Sequence, residues 1–103
     1  MTFALRPARL ADAEMIAALL RDAFGGVEEA TLVAALRAEG AVVAELVAET
    51  AEGIAGHILF SAAPIGATAA VALAPLAVAR PARRQGLGAA LVRDGLARCA
   101  DAG

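Results

Sequence analysis

The residues best suited to chemistry cluster in one short stretch, ARPARRQGLGAALV, from Ala79 to Val92. It holds Arg80, Arg83, Arg84 and Gln85, then two glycines, Gly86 and Gly88. An apolar run precedes it and an alanine-rich apolar run follows, so it reads as a strand passing into the start of a helix. The first turn of a helix leaves backbone N–H groups without partners, and the helix dipole adds partial positive charge there. Anions bind at such points, phosphates above all. Glycine lets the backbone approach an anion with no Cβ in the way. Arginine adds charge-assisted hydrogen bonds to phosphate oxygens. The stretch has the chemistry of a pyrophosphate cradle.

Two familiar phosphate loops do not fit. A P-loop requires a lysine after its second glycine, and all nine basic residues of this chain are arginine. A dinucleotide fingerprint, G-x-G-x-x-G, would place a third glycine where Leu91 stands. The absence of lysine also removes any Schiff-base chemistry. Outside the stretch, His57 is the only histidine and has the titration range of a general base. Glu45 and Glu49 are alternative bases, and a solvated strand face accounts for both. Cys99 is the single cysteine, which excludes an internal disulfide and a cysteine-based metal site. It reads as a small apolar residue on a helix.

Seven elements must position these groups. TFALRPA suggests a first strand ended by Pro7. Ala11 to Phe24 has helical period, with Ile16, Leu19, Leu20, Ala23 and Phe24 on one side, Asp12 near the start and Gly25-Gly26 as the stop. A second helix spans Glu28 to Glu39, with Leu32, Val33 and Leu36 as its stripe and Gly40 as its end. Val42 to Ser61 reads as an antiparallel hairpin turning at Ala51-Glu52-Gly53. AVALAPLAVA is another strand, and Pro75 inside it predicts a bulge or a gap in the sheet. The last helix is predicted over Gln85 to Ala102, with Leu87, Leu91, Val92, Gly95, Leu96 and Cys99 inward. The order is β-α-α-β-β-β-α. Strands apolar on both faces, notably Ile54 to Phe60, call for helices on both sides of the sheet.

Length and composition suit a single soluble α/β domain over 1–103. The chain is 60% hydrophobic, which excludes disorder. No uncharged run reaches the roughly 20 residues of a membrane span, and the N-terminus lacks a signal-peptide layout. A cytoplasmic protein is expected. Arginine-only basicity fits the codon bias of a GC-rich bacterial genome. A net charge of −2 does not suit a nucleic-acid binder.

The pattern R-x-x-G-x-G/A is present as Arg83, Gly86 and Gly88, and here the sequence resembles the GNAT acetyltransferase superfamily. APLAVARPARRQGLGAALV is similar to that family's acyl-CoA motif: a bulged strand, this loop, then a helix. AGHILFSAAPI and LRPARLADAEMIAALLRDAF are similar to its earlier strands and first helix. The resemblance implies a three-layer α-β-α fold with a mixed, largely antiparallel sheet. It implies acetyl-CoA as co-substrate, an amine of a small molecule or peptide as acceptor, and no metal. Backbone amides of Arg84, Gln85, Gly86, Leu87, Gly88 and Ala89 would hold the pyrophosphate, with charge from Arg83 and Arg84. The strand around Leu76, Ala77 and Val78 would pair with the pantetheine arm and polarise the thioester carbonyl. The family continues beyond this helix and often supplies a tyrosine as acid. This chain has none, so it is expected to be the N-terminal portion of a longer domain. A non-catalytic acyl-CoA-binding module of the same fold is the alternative, and a homodimer is allowed.

Overall fold

The computed structural model describes residues 2–102. Seven regular elements occur in the expected order: β1 (Ala4–Pro7), α1 (Ala13–Phe24), α2 (Glu28–Ala38), β2 (Val42–Thr50), β3 (Gly53–Ala62), β4 (Val71–Val78) and α3 (Leu87–Asp101). Short 3-10 turns, Leu10–Asp12 and Arg80–Ala82, lead into α1 and towards α3. The strands lie in the order β1-β2-β3-β4, and every pairing is antiparallel. Residues Ala51 and Glu52 make the β2–β3 turn.

Side chains alternate across a strand, so β2 and β3 feed two cores. Leu46, Ala48, Ile58 and Phe60 point to one face, where Leu87 and Leu91 of α3 cover them. Val47 and Leu59, with Ala77 of β4, point to the other, under Ile16, Leu19 and Leu20 of α1 and Val33 of α2. Fully burying an aliphatic or aromatic side chain contributes about 1.5–3 kcal/mol each. Both faces are therefore strongly held, and the three-layer expectation is met.

Three predicted inward residues are instead exposed: Phe24, Leu32 and Leu96. For Leu96 the reason is the seam of α3. Leu87, Leu91 and Gly95 recur at four-residue spacing and take the contact. A Cβ added at Gly95 would sit 2.2 Å from Phe60 Cε1, and one at Gly56 would sit 2.5 Å from Leu87 Cδ2. These two missing side chains let α3 lie close on the sheet, which turns Leu96 outward and sets where the helix begins.

Pro75 does mark a bulge. Ile58 pairs with Leu76 and Phe60 with Leu73, so two steps on β3 oppose three on β4. No helix among the described residues is long and apolar enough to cross a membrane.

Candidate functional site

The connection from β4 to α3 builds its geometry from backbone. After the Arg80–Ala82 turn, Arg83 is extended (φ −69°, ψ 152°). Arg84 then takes φ +65° and Gly86 φ +79°. The left-handed value is ordinary for glycine and uncommon for arginine. Helix α3 therefore begins at Leu87, two residues later than the predicted Gln85. Its first backbone bond is Ala90 N–H to the Gly86 carbonyl at 3.0 Å, while the turn's last is Arg83 N–H to Arg80 at 3.2 Å. Between them lie six consecutive N–H groups, Arg84 to Ala89. None donates to a protein acceptor among the described residues. Successive unpartnered amides at such a turn form an anion-binding concavity, reinforced by the helix dipole.

Side chains brace this loop. Arg83 Nε donates to the Val78 carbonyl at 2.9 Å, and Gln85 Nε2 donates to the Pro81 carbonyl at 3.2 Å. Neither Arg83 nor Arg84 is ion-paired among the described residues, and both are exposed. A Cβ on Gly88 would meet only Val78 Cγ2, at an ordinary 3.6 Å, so packing within the chain does not demand glycine there.

The β4 backbone divides by alternation. Ala79 N–H bonds the Ala55 carbonyl at 2.7 Å, so Ala77, two residues earlier and opposite His57, also turns its N–H and C=O to β3. Leu76 and Val78 turn theirs to the outer edge. The Val78 carbonyl is occupied by Arg83, which leaves the Val78 N–H and both groups of Leu76 on offer. Of the three strand residues named from the sequence, Ala77 has its polar backbone already engaged.

His57 lies on the opposite face from α3 and is fully buried. Its Nε2 is 2.7 Å from Glu45 Oε2. Arg37, in the last turn of α2, donates from Nε to Glu45 Oε1 at 2.9 Å and from a terminal nitrogen to Oε2. The reading of Glu45 as a solvated strand residue is thus corrected: its side chain is 10% exposed and doubly bonded. Burial pushes its carboxyl up, but hydrogen bonds from His57 and Arg37 outweigh this and bring it down to about 2. Glu49 does face solvent and bonds Arg6 Nε at 3.1 Å. Arg6 also makes a bidentate pair with Asp12, at 2.8 and 2.9 Å, and Asp12 accepts the Arg9 N–H at 2.7 Å. The Arg6 bonds, then that N–H, hold the buried Asp12 carboxyl well below the usual carboxylate range. Arg37 was not singled out from sequence; a basic residue closing a helix signals dipole compensation, and its strand partner is set by packing. Cys99 packs, half-buried, against the α3-side core, and burial pushes its thiol up. No cluster of three potential metal ligands occurs among the described residues.

The family model described as "Acetyltransferase (GNAT) family" matches residues 13–103. This chain belongs to the GNAT acetyltransferase family. Solved GNAT structures agree. The GNAT family N-acetyltransferase YhbS from Escherichia coli, in complex with CoA, is 38% identical with a TM-score of 0.91, over 98% of this chain and 58% of that one. A GNAT family acetyltransferase from Brucella melitensis, in complex with acetyl-CoA, is 34% identical with a TM-score of 0.91, over 99% of this chain and 71% of that one. A ribosomal-protein-alanine N-acetyltransferase from Brucella melitensis biovar Abortus shares the fold at 23% identity and a TM-score of 0.74. The present chain thus spans 58% of the length of the first GNAT structure and 71% of the second. No curated protein sequence matches it.

Proposed function

We propose that this chain binds acetyl-CoA and that the protein is an N-acetyltransferase acting on a primary amine of a small molecule or peptide. The observation that carries this reading is the run of six unpartnered N–H groups from Arg84 to Ala89, beside the outward-facing groups of β4. Those amides would hold the pyrophosphate. Arg84 and the terminal nitrogens of Arg83 would add charge. The missing Cβ of Gly88 leaves room for close approach. Leu76, with the Val78 N–H, would pair with the pantetheine arm, and the Leu76 N–H would polarise the acyl carbonyl. Bound acetyl-CoA supplies an acyl carbon that takes the amine nitrogen as the C–S bond breaks with its electron pair on sulfur. The amine must shed a proton on the way, and His57 is the residue we assign to receive it. Relatives solved with CoA and with acetyl-CoA support the cofactor.

A bacterial cytoplasmic setting belongs to the same reading, supported by arginine-only basicity and by similar Escherichia and Brucella proteins. So does a homodimer, supported by exposed Val71 and Leu73 on β4. The test is calorimetric titration with acetyl-CoA, beside an Arg83→Ala, Arg84→Ala variant, then an amine panel. Saturable binding lost in the variant, with acetyl transfer, is expected. Binding without transfer to any amine would leave only a non-catalytic module. No binding by the folded chain would remove the loop from the reading.

A further inference from the structure

One ionisable cluster lies apart from the glycine loop and is joined end to end. Arg37 donates twice to Glu45, and Glu45 Oε2 is 2.7 Å from His57 Nε2. His57 is fully buried, and its Nδ1 has no hydrogen-bond partner. A carboxylate only accepts, so the nitrogen facing it must carry the proton. Neutral imidazole has one N–H, which puts the bare lone pair on Nδ1. A buried polar atom left this way needs an explanation, because burial removes water as a substitute partner.

We propose that Arg37 and Glu45 are positioning residues that hold His57 as its Nε2–H tautomer, so that the Nδ1 lone pair is the acceptor for the substrate amine's proton. This rests on the acetyltransferase reading above. Three observations support it beyond the bonds themselves. His57 sits opposite Ala77 on β4, the strand whose outer edge faces the acyl arm in that reading, so the buried ring lies one strand in from that edge. Glu45 lines a cavity of about 170 Å³ with Ala8, Arg9, Leu10 and Arg37, so the carboxylate that faces Nε2 keeps its charge beside open space. Charge is balanced as well: an imidazolium formed at His57 would face the Glu45 carboxylate, itself held by Arg37. The proton leaves the ammonium for Nδ1, and the imidazolium gives it up again from the same Nδ1 to water once the product has left, which restores the Nε2–H tautomer with no net change in the chain. Glu45 from β2 and Arg37 from α2 are the charged groups bonded into this cluster; Arg6, Asp12 and Glu49 form a separate set on the same face, with Asp12 acting on Arg37 from farther off. The core on this face, from α1 and β4, is built of apolar Ile16, Leu19, Leu20 and Ala77.

Because His57 is the only histidine, ¹⁵N-histidine labelling reports a single ring. The expected spectrum of the neutral ring shows Nε2 protonated and Nδ1 bare, in the chain without any ligand. Glu45→Gln should mix the tautomers, and Arg37→Lys should keep much of the single form. A proton found on Nδ1 in the native chain overturns the proposal. In the protein, Glu45→Gln should lower kcat at least tenfold and move the acid limb of kcat/KM to lower pH, since the imidazolium loses its counter-charge. KM for acetyl-CoA should not change. An acid limb left in place, with the tautomer altered, overturns the proton role. Arg37→Lys serves if Glu45→Gln does not fold. Acetyl-CoA titration, run separately, tells a failure of this proposal from a failure of the acetyltransferase reading.

Discussion

Two regions of this molecule treat their polar groups in opposite ways. At the start of α3, six adjacent backbone donors and the Arg84 side chain stand without protein partners among the described residues, and Arg83 engages only its Nε, with the Val78 carbonyl. Under α1 and α2, charges are gathered into pairs: Glu45 with Arg37 and His57, Arg6 with Asp12 and Glu49. The first arrangement spends little stability on itself and keeps its donors free for a ligand. The second is costly to break, because a lone charge left in a dry site has no water to replace its partner. Changes at the loop should therefore move binding and spare stability, and changes under the helices should do the reverse.

Glu45→Ala tests the second half most severely. It leaves Arg37 and His57 without their acceptor and should cost about 3 kcal/mol in chemical denaturation. A loss below about 1 kcal/mol would mean that the pair is no more than a surface contact. At the loop, Arg83→Ala with Arg84→Ala should weaken acetyl-CoA about 100-fold by calorimetry, from two charge-assisted contacts. The melting temperature should stay nearly constant, as exposed substitutions usually shift stability by only ~0.5 kcal/mol. Asp12→Asn should lose about 2 kcal/mol by weakening the Arg6 pair and the bond to the Arg9 N–H. Gly86→Ala sharpens the contrast most finely. Its φ of +79° is strained for alanine, so about 1 kcal/mol of stability should be lost together with some affinity.

The paired region also predicts a pH response that the loop does not. Glu45 and Asp12 have folded values below their unfolded ones, near 4.3 and 3.9 in model peptides. Their contribution is complete above those values and fades as pH falls, for Glu45 down to about 2. Urea midpoints measured between pH 6 and 2.5 should fall, and Asp12→Asn should flatten part of that slope. An unchanged slope in that variant would mean that Asp12 is not paired in solution.

Much of this was legible in the sequence, because local pattern carried it. The periodicity of Ile16, Leu19 and Leu20, the two-faced strand Ile54 to Phe60 and the Pro75 bulge each follow from a residue's immediate neighbours. Glycines at 86 and 88 before an alanine-rich run marked the helix start to within two residues. What escaped was tertiary. Glu45 looks like a solvated strand residue until α2 lays Arg37 over it, and nothing in the local spacing announces that placement. Arg84 carries a glycine-like φ that no arginine signals. Phe24, Leu32 and Leu96 satisfy helical period yet are exposed; for Leu96 the reason is that Gly56 and Gly95 fix how α3 seats on the sheet.

The bond from Arg83 to the Val78 carbonyl has a further consequence. It fastens the loop to the strand edge at one point, so the amides of Arg84 to Ala89 and the free groups of Leu76 keep a constant spacing. A guest that engages both must match that span. The site then works as a ruler, sorting candidates by length before it can sort them by reactivity.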